Sequence, residues 1–524
     1  MMRSNEGARP SIWDVTAPAP DLQPFSGDAT IVDVCVIGAG IAGLTTALEL
    51  LRAGREVLVL DDGPLAGGET GRTTAHLATA FDDEYNVVES MHGHRTAQLL
   101  AESFRAGVDA IERNVREESI DCGFTRLDGW WVPSTDDASE RLEAERDAAH
   151  RCGFPDVELV TQHPLAGTFP GPALRFPNQA QFHITRYMAG LAAAIDRLGG
   201  RIRTAAHVQH VDDATGESRM CTVKLDDGRT VQARDVVVAT NSPMIDRVVM
   251  HTKQASYRTY VIAVRVRAGM VPPGLFWDTD DPYHYVRLLD GPLAAGAGDV
   301  LIVGGEDHKT GQSDDERVAF DRLEAWTRER FPCDDVVAKW SGQVMEPNDF
   351  LAYIGRNPGS ERLWIVTGDS GNGMTHGTIA GLMLPTLMAG QEHPWESMYS
   401  PGRITLTPTS AVEFLKENVN VAAQYADLVT GGDVDDASAV PRGEGRILRQ
   451  GARKLAVHRG DDDRLTVRSA VCPHLGCIVQ WNTAECTWDC PCHGSRFATD
   501  GEVLNGPSAA PLAPATLDQS AAER

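Results

Sequence analysis

The pattern of apolar and polar positions divides the chain into three parts after a polar, proline-rich N-terminal extension, residues 1–30. Residues 31–400 alternate short, nearly continuous apolar runs with helical patterns, which predicts a mixed α/β domain. Residues 401–440 form a connector, and residues 441–524 contain short β-like runs separated by turns. The pattern therefore predicts a large α/β domain, a linker and a small all-β domain.

The strongest local pattern lies at the start of the α/β part. The apolar run Val32–Ile37 leads into Gly38-Ala-Gly40-Ile-Ala-Gly43, a helical pattern follows to Arg52, and a second apolar run ends at Asp61. In such a strand–turn–helix unit the first glycine permits the tight turn, the second lets the backbone approach a pyrophosphate, and the third lets helix and strand pack closely. The helix N-terminus favours phosphate charge, and the acid accepts hydrogen bonds from ribose. We therefore predict a dinucleotide site at Gly38, Gly40, Gly43 and Asp61.

The connector contains one predicted helix. Ser410-Ala-Val-Glu413 reads as a capping box, and apolar residues such as Leu415 and Val419 follow at helical spacing. Gly431-Gly432 is expected to end the helix. The apolar face predicts that this helix packs on another surface.

Charge and length narrow the range of partners. The 524 residues include 48 Lys and Arg against 74 Asp and Glu, a formal charge of −26. Such a charge disfavours nucleic acid or an anionic membrane as the main partner. No secretory signal opens the chain, and no apolar run reaches the roughly 20 residues that a membrane span needs. We therefore expect a cytoplasmic protein with no membrane span.

Three further segments of the α/β part resemble one enzyme family. They are Gly67–Thr74 after the second strand, Val236–Asn241, and Leu363–Thr367 with the loop to Thr375. Their order and spacing are similar to those of the D-amino-acid oxidase/glycine oxidase superfamily over about residues 31–400. The resemblance implies a Rossmann-type FAD-binding domain, built from segments near 31–80, 200–245 and 355–390, interleaved with an antiparallel-sheet substrate domain. It implies further FAD contacts at Arg72, Thr73, Thr74, Val208, Asn241, Gly371, Gly373, Met374 and Thr375.

The mode of FAD attachment stays open. Some relatives bind FAD covalently through a histidine shortly after the second strand. That position falls on Arg72 here, and His76 lies four residues later. Noncovalent FAD is therefore favoured.

The sharpest chemical pattern lies near the C-terminus, where five of the ten cysteines fall within 21 residues. Cys472-Pro-His474-Leu-Gly-Cys477 and Cys490-Pro-Cys492-His493-Gly-Ser495 each offer a Cys and a His ligand. Zinc accepts such a set, but the two loops resemble those of a Rieske [2Fe–2S] centre of the cytochrome bc type. The resemblance implies Cys472 and Cys490 on one iron, His474 and His493 on the other, and a Cys477–Cys492 disulfide.

Other residues refine this resemblance. Gly506-Pro507 is similar to the loop that covers the cluster, and Ser495 matches a serine that hydrogen-bonds a bridging sulfide. Phe497 stands where the respiratory proteins have Tyr, so we expect a lower potential than theirs. The chain shows no two-His-one-carboxylate site for mononuclear iron, and ring-hydroxylating oxygenases generally lack the two extra cysteines. The sequence therefore does not resemble that class.

The predicted substrate class rests on an arginine that the flavin family has and this chain lacks. The arginine that binds the carboxylate of amino-acid substrates falls on Val344, and a bidentate clamp needs Arg geometry. An amine without that carboxylate fits better, with Glu346 or Asp349 as candidate ammonium partners. Alternation on a probable strand places Tyr283, Tyr285 and Arg287 on one face. Tyr285, Arg287 and His376 are the candidate catalytic residues.

The pairing of modules predicts an FAD- and [2Fe–2S]-dependent dehydrogenase. An amine gives a hydride to flavin, and single electrons pass through the cluster to an external acceptor protein. Three alternatives stay open. The cluster could receive electrons from a donor protein and make the enzyme a reductase. It could be a docking or sensor module on a flavin oxidase. The protein could also be a non-enzymatic electron carrier, which the long region 245–355 disfavours.

Overall fold

A computed structural model of the chain describes residues 9–27, 30–135, 139–214, 219–244, 250–289, 291, 298–405 and 407–518. The helices are α1 (Ile12–Thr16), α2 (Ile41–Arg52), α3 (Tyr85–His92), α4 (His94–Glu117), α5 (Ser139–Arg151), α6 (Ile184–Arg197), α7 (Arg317–Arg330), α8 (Gly373–Met388), α9 (Glu396–Tyr399) and α10 (Pro408–Gln424). Short 3₁₀ turns lie at Glu69–Arg72, Tyr425–Leu428 and Ala437–Ala439.

The strands fall into a long first part and a short second part. The first part contains β1 (Thr30–Ile37), β2 (Val57–Leu60), β3 (His76–Leu77), β4 (Thr125–Val132), β5 (Glu158–Val160), β6 (Ala173–Gln181), β7 (Arg201–Arg203), β8 (Val208–Asp212), β9 (Cys221–Leu225), β10 (Thr230–Val238), β11 (Gln254–Val266), β12 (Leu275–Asp278), β13 (Tyr285–Leu288), β14 (Asp299–Lys309), β15 (Cys333–Pro347), β16 (Tyr353–Arg356) and β17 (Leu363–Thr367). The second part contains β18 (Glu444–Gln450), β19 (Arg453–Arg459), β20 (Leu465–Ser469), β21 (Gln480–Asn482), β22 (Thr487–Asp489), β23 (Arg496–Phe497) and β24 (Val503–Asn505).

The first sheet carries the dinucleotide fingerprint. Its order is β16-β17-β10-β1-β2-β7, with the β8–β9 hairpin joined to β10. Strands β17, β10, β1, β2 and β7 are parallel, and both faces of β2 are buried, as expected of a parallel strand. Helices α2 and α8 pack closely on each other because Gly377 and Gly381 leave room for the backbone of α2. The predicted strand–turn–helix unit is therefore present in full.

The second sheet is interleaved with the first along the chain. Its order is β15-β11-β14-β13-β12-β4-β6-β3, with β5 on β6, and its pairs are antiparallel except β12 with β4. A large buried core joins helices α2, α4, α6 and α8 to both sheets. The predicted α/β domain with an interleaved antiparallel sheet is confirmed.

The C-terminal part is all β, as predicted. Strands β18-β19-β20 form one sheet and β21-β22-β23-β24 another. The two Cys/His loops connect β20 to β21 and β22 to β23, and their four cysteines are buried in a core of their own. Across the part of the chain that the structure describes, no helix is long and apolar enough to cross a membrane.

The connector helix differs from its prediction. It begins one turn earlier, because the Thr407 hydroxyl accepts a hydrogen bond from the Ser410 backbone and Ser410 bonds back in return. Its inner face is also different. Val421 and Tyr425 pack on the C-terminal core, whereas the predicted docking residues Leu415 and Val419 are 63% and 57% exposed. Helical spacing identified an apolar face but not the side that is covered.

A buried charge cluster joins the C-terminal part to the antiparallel sheet. The Glu485 carboxylate is fully buried, and Arg258 of β11 donates to it at 2.6 Å. Arg496 also donates to Glu485, and the Arg72 guanidinium lies 3.7 Å from it. Burial alone would raise the pKa of Glu485, but the three guanidinium charges outweigh it and lower the pKa to about 2. Glu485 is therefore ionised and bridges the two parts.

Removing this carboxylate should be strongly destabilising. Glu485→Ala leaves the guanidinium groups of Arg258 and Arg72 without this counter-charge, whereas Arg496 keeps its pair with Asp489 at 3.1 Å. Breaking buried pairs of this kind costs about 3–5 kcal/mol. We expect the midpoint of urea unfolding to fall sharply. Asp462→Ala, whose side chain is 63% exposed, is the control and should leave the midpoint unchanged. Equal midpoints of urea unfolding for the two variants would show that the buried charges around Glu485 do not hold the two parts together.

Candidate active site and cluster site

A cavity of about 680 Å³ lies where the carboxyl ends of the parallel strands meet the antiparallel sheet. This is the position where ligands bind in open α/β sheets. Twelve of the thirteen predicted cofactor-binding residues line it: Gly38, Gly40, Asp61, Arg72, Thr73, Thr74, Val208, Asn241, Gly371, Gly373, Met374 and Thr375. The thirteenth, Gly43, lies behind the turn. Segments distant in sequence thus converge on one cavity.

The glycine turn has the shape that a dinucleotide needs. Gly38 has φ +109°, and a Cβ there would lie 2.4 Å from the Ala239 carbonyl oxygen. A Cβ on Gly43 would lie 1.9 Å from the Gly38 carbonyl oxygen, so helix α2 could not pack on β1 with any side chain there. The N-terminus of α2 opens on the cavity, where backbone N–H groups favour phosphate. The local geometry fits a bound pyrophosphate.

Asp61 closes the same turn. Its carboxylate accepts from the Ala39 backbone N–H at 2.6 Å and from the Gly63 N–H at 2.8 Å. Burial, with the charge of Asp62, raises the pKa of Asp61 to about 7. Burying the charged carboxylate is costly, and this cost would be reduced by a proton or by a hydroxyl donor such as the predicted ribose.

The segment after β2 lies along one side of the cavity. Arg72 does not point its charge freely into the cavity, because its guanidinium donates to the Ser341 carbonyl at 2.9 Å and approaches Glu485. The Thr73 carbonyl accepts from the Trp13 indole at 2.6 Å. The Thr74 hydroxyl lies 3.0 Å from Nδ1 of His76. This segment is therefore held in place by contacts with Trp13, Ser341 and His76 while it lines the cavity.

The two Cys/His loops bring the four predicted ligands together. The His474 and His493 rings lie 5.0 Å apart between centroids. Backbone N–H groups of His474 and Leu475 point at the Cys472 sulfur, and those of Cys492 and His493 at the Cys490 sulfur. Such N–H groups stabilise thiolate charge. A converging set of two thiols and two imidazoles fits a [2Fe–2S] cluster.

A disulfide ties the two loops together. Cys477 and Cys492 are joined across 15 residues, whereas Cys472 and Cys490 are free and buried. The Ser495 hydroxyl accepts from the Ser508 backbone N–H at 3.0 Å and lies within hydrogen-bond reach of Cys472. The loop that carries Gly506-Pro507 is thereby held against the cluster site.

Comparison with known proteins matches both halves of the chain. The FAD dependent oxidoreductase family matches residues 33–385, about two thirds of the chain, and the Rieske [2Fe-2S] domain family matches residues 432–516. The chain belongs to the FAD dependent oxidoreductase family. It carries a C-terminal Rieske domain, and its cofactors are FAD and a [2Fe–2S] cluster.

Three similar proteins span most of the chain. The Rieske 2Fe-2S iron-sulfur protein YhfW of Bacillus subtilis (strain 168) is 29% identical over 97% of both chains. Gamma-glutamylputrescine oxidoreductase of Escherichia coli (strain K12) is 26% identical over 73% of this chain and 89% of its own. Glycine oxidase from Geobacillus kaustophilus has the same fold in its flavin domain, with TM-score 0.59 and 18% identity over 72% of this chain and 100% of its own.

A group of acidic residues lines part of the flavin cavity. The Ser370 hydroxyl lies 2.7 Å from Asp83 and 2.6 Å from Glu346, and the Tyr283 hydroxyl donates to Asp82 at 3.0 Å. Burial raises the pKa of Asp82 to about 6, those of Asp83 and Asp307 to about 7, and that of Glu346 well above its ordinary value. Carboxylates held this way gain from a cation in the cavity. We name Asp82, Asp83, Asp307 and Glu346 the acidic wall.

The predicted catalytic residues are placed differently from one another. Tyr285 lines the cavity, and its hydroxyl lies 2.6 Å from that of Thr259. His376 also lines it. Its Nδ1 lies 2.9 Å from the Asp369 carbonyl oxygen, no described group pairs with its Nε2, and burial lowers its pKa to about 4. His376 is therefore neutral at ordinary pH.

Arg287 is not brought to the cavity. Its guanidinium donates to the Ala75 carbonyl at 2.8 Å and to the Phe182 carbonyl at 3.3 Å, and it stacks over Trp13. The alternation of side chains along the strand predicts that Arg287 shares a face with Tyr285. It does not show that neighbouring segments cover Arg287. The structure therefore gives Arg287 an anchoring position and no contact with the cavity.

Of the two predicted ammonium partners, the structure brings one to the cavity. Glu346 belongs to the acidic wall, and Val344 lies on the same strand beside the cavity. Asp349 lies elsewhere, where Arg403 donates to both of its oxygens at 2.7 and 2.8 Å. Burial would raise the pKa of Asp349, but the Arg403 charge lowers it. Asp349 is therefore a structural ion-pair partner.

The Rieske domain meets the flavin domain at the cluster's imidazoles. The His251 ring lies 4.7 Å from the His474 ring and 5.7 Å from the His493 ring, between centroids. Gln343, which lines the flavin cavity, donates to the Gly494 carbonyl at 2.8 Å. Sequence reasoning missed both residues, because a lone His and a strand Gln carry no motif. It also missed Asp82, Asp83 and Asp307 in the acidic wall.

The Cys477–Cys492 disulfide should stabilise the Rieske domain, whereas the free cysteine Cys486 should contribute little to its stability. Closing a loop of 15 residues contributes about 3 kcal/mol in the chain-entropy account. We expect the double variant Cys477→Ser/Cys492→Ser to lose its cluster absorbance at a clearly lower urea concentration. Cys486→Ser, a free cysteine of the same domain, is the matched control. A midpoint as high in the double variant as in that control would contradict this role.

Proposed function

We propose that the protein is an amine dehydrogenase that passes electrons singly from its flavin site through the Rieske cluster to an external acceptor protein. The acidic wall is the observation that carries the proposal. The four carboxyl groups of the acidic wall line one cavity, and proteins similar to this chain include a gamma-glutamylputrescine oxidoreductase and a glycine oxidase. Complementary charge favours a cationic amine there.

The cavity offers little to hold a substrate carboxylate. Val344 is apolar, and the described arginines that line the cavity, Arg72 and Arg141, each have a partner already. Arg72 contacts Ser341 and Glu485, and Arg141 pairs with Glu84 at 2.7 Å. A bidentate clamp needs an unengaged guanidinium. An amine without an α-carboxylate therefore suits this cavity better than a simple amino acid.

The roles of the protein groups follow from their placement. When bound, FAD accepts a hydride from the carbon next to nitrogen, and the cluster carries one electron at a time. The acidic wall binds and orients the ammonium end of the substrate. Tyr283 and Tyr285 form an adjacent aromatic surface that excludes water. His376 is neutral, and its buried Nε2 has no described hydrogen-bond partner.

Contacts between the cavity and the cluster loops support the electron relay. Gln343 spans from the cavity wall to the Gly494 carbonyl, and Gly494 follows the ligand His493 in the chain. His251 packs on both ligand imidazoles. Such short connected contacts suit electron transfer between two fixed cofactors. They are less expected of a Rieske domain that serves only as a docking or sensor module.

An anaerobic titration tests the proposal. Purified holoprotein is mixed with a panel of amines and amino acids, flavin bleaching is followed optically, and cluster reduction is followed by EPR in the same samples. We expect a diamine or polyamine to bleach the flavin and to produce the Rieske signal. If no substrate reduces the flavin, but an external reductant fills the cluster and then the flavin, the direction is reversed and the protein is a reductase.

The acidic wall should set both affinity and its pH dependence. Because burial raises the pKa values of Asp82 and Asp83 to about 6 and 7, these groups are protonated at lower pH. Affinity for a cationic amine should therefore rise as pH increases through this range. Glu346→Gln or Asp83→Asn should weaken binding roughly tenfold, about 1.4 kcal/mol.

Binding of a non-oxidised amine, followed by the flavin spectrum, measures this effect. Glu329→Gln on α7 changes the same chemical group on the surface, with a side chain 77% exposed, and should keep the parent affinity and pH profile. If both acidic-wall variants bound the amine as tightly as the parent protein, the acidic wall would not contribute to substrate recognition.

A further inference from the structure

The flavin cavity is not built by the flavin domain alone. Val503, Leu504, Asn505, Gly506, Ser508 and Ala509 of the Rieske domain line it together with the glycine turn and Asp61. We name residues 503–509 the shared loop, since the same stretch carries Gly506-Pro507 and is bonded to Ser495 of the cluster loop. One loop thus contacts both cofactor sites.

The first anchor of the shared loop lies beside the segment after β2. The Asn505 side-chain amide donates to Oε1 of Glu69 at 2.8 Å. Oε2 of Glu69 accepts from the backbone N–H of Gln343 at 2.5 Å. Thr70, the next residue, accepts from the Ile41 N–H at the start of α2. This anchor therefore joins the shared loop to strand β15 through Gln343 and to the start of helix α2 through Thr70.

The second anchor lies at the other end of the shared loop. Nε2 of His207 lies 2.8 Å from the Ala509 carbonyl oxygen, and its Nδ1 lies 3.0 Å from the Asp62 carboxylate. His207 precedes Val208, and Asp62 follows Asp61, so this anchor adjoins the residues predicted to hold the adenosine end of the cofactor. Between the anchors, Gly506 passes close to the Ser242 carbonyl oxygen.

We propose that the shared loop is a fourth FAD-binding segment, contributed by the Rieske domain and lying along the dinucleotide from the glycine turn to the adenosine end. Its backbone and small side chains form the wall that closes this part of the cavity. The Rieske domain is then a structural part of the flavin site, and FAD affinity depends on its docking. This inference needs neither an amine substrate nor a direction of electron flow.

Equilibrium FAD binding to the full-length, cluster-loaded protein tests the loop directly. Asn505→Ala removes the first anchor, and Asn505→Asp places a carboxylate against Glu69. We expect the FAD dissociation constant, read from the fluorescence of released FAD, to rise about tenfold for Asn505→Ala and further for Asn505→Asp. Pro511→Ala changes an exposed residue just beyond the loop and should bind FAD as the parent does.

The EPR signal of the reduced cluster must stay unchanged in each variant, which separates loss of FAD from loss of the Rieske fold. Hydrogen exchange of the unmodified protein gives a second test, because loading FAD into the stripped protein should slow exchange of amides in the shared loop. Parent-like FAD affinity in both Asn505 variants, together with unchanged exchange in the shared loop, would overturn the proposal.

Discussion

The buried carboxylate of Glu485 among three guanidinium groups is the interaction on which the arrangement of this molecule depends. Taking four charges out of water is costly, and the cost is offset only when the partners meet in good geometry. Arg258 comes from the flavin domain's antiparallel sheet, whereas Arg496 and Glu485 come from the Rieske domain. An apolar contact of equal area would tolerate sliding. The buried charges favour the docked position in which Arg258 and Arg72 of the flavin domain reach Glu485 of the Rieske domain.

The contacts between the two domains bear on the proposed electron relay. In the proposed relay, a flavin would exchange two electrons with substrate and a [2Fe–2S] cluster one at a time, so the two centres would have to lie near each other. Gln343 joins the cavity wall to the cluster loop at the Gly494 carbonyl, and His251 packs on the ligand imidazoles. Arg72 belongs to both systems, since it lines the cavity and approaches Glu485. The same contacts that hold the domains together therefore also join the two sites.

Local patterns predicted the parts of this structure that local chemistry determines. The glycine turn, Asp61 and the four cluster ligands lie within short segments whose spacing carries the geometry, and the structure brings each group together. The acidic wall could not be predicted in this way, because Asp82, Asp83, Asp307 and Glu346 come from three separate stretches that meet only in the fold. Arg287 and Leu415 show the complementary limit. Periodicity assigned each to a face, but which face becomes covered depends on partners distant in sequence.

The shared loop makes the Rieske domain part of the wall of the flavin cavity. A module appended to an oxidase could be gained or lost with little effect on the flavin site. Here the shared loop is bonded to Ser495 of the cluster loop and anchored to Glu69 and His207 beside the flavin cavity, so the cluster site and the cavity wall share the same backbone. Anything that binds only the docked form stabilises it. FAD bound under the loop would therefore favour docking, and a folded cluster site would favour FAD retention. The two cofactors would then stabilise each other through the structure, whether or not electrons pass between them.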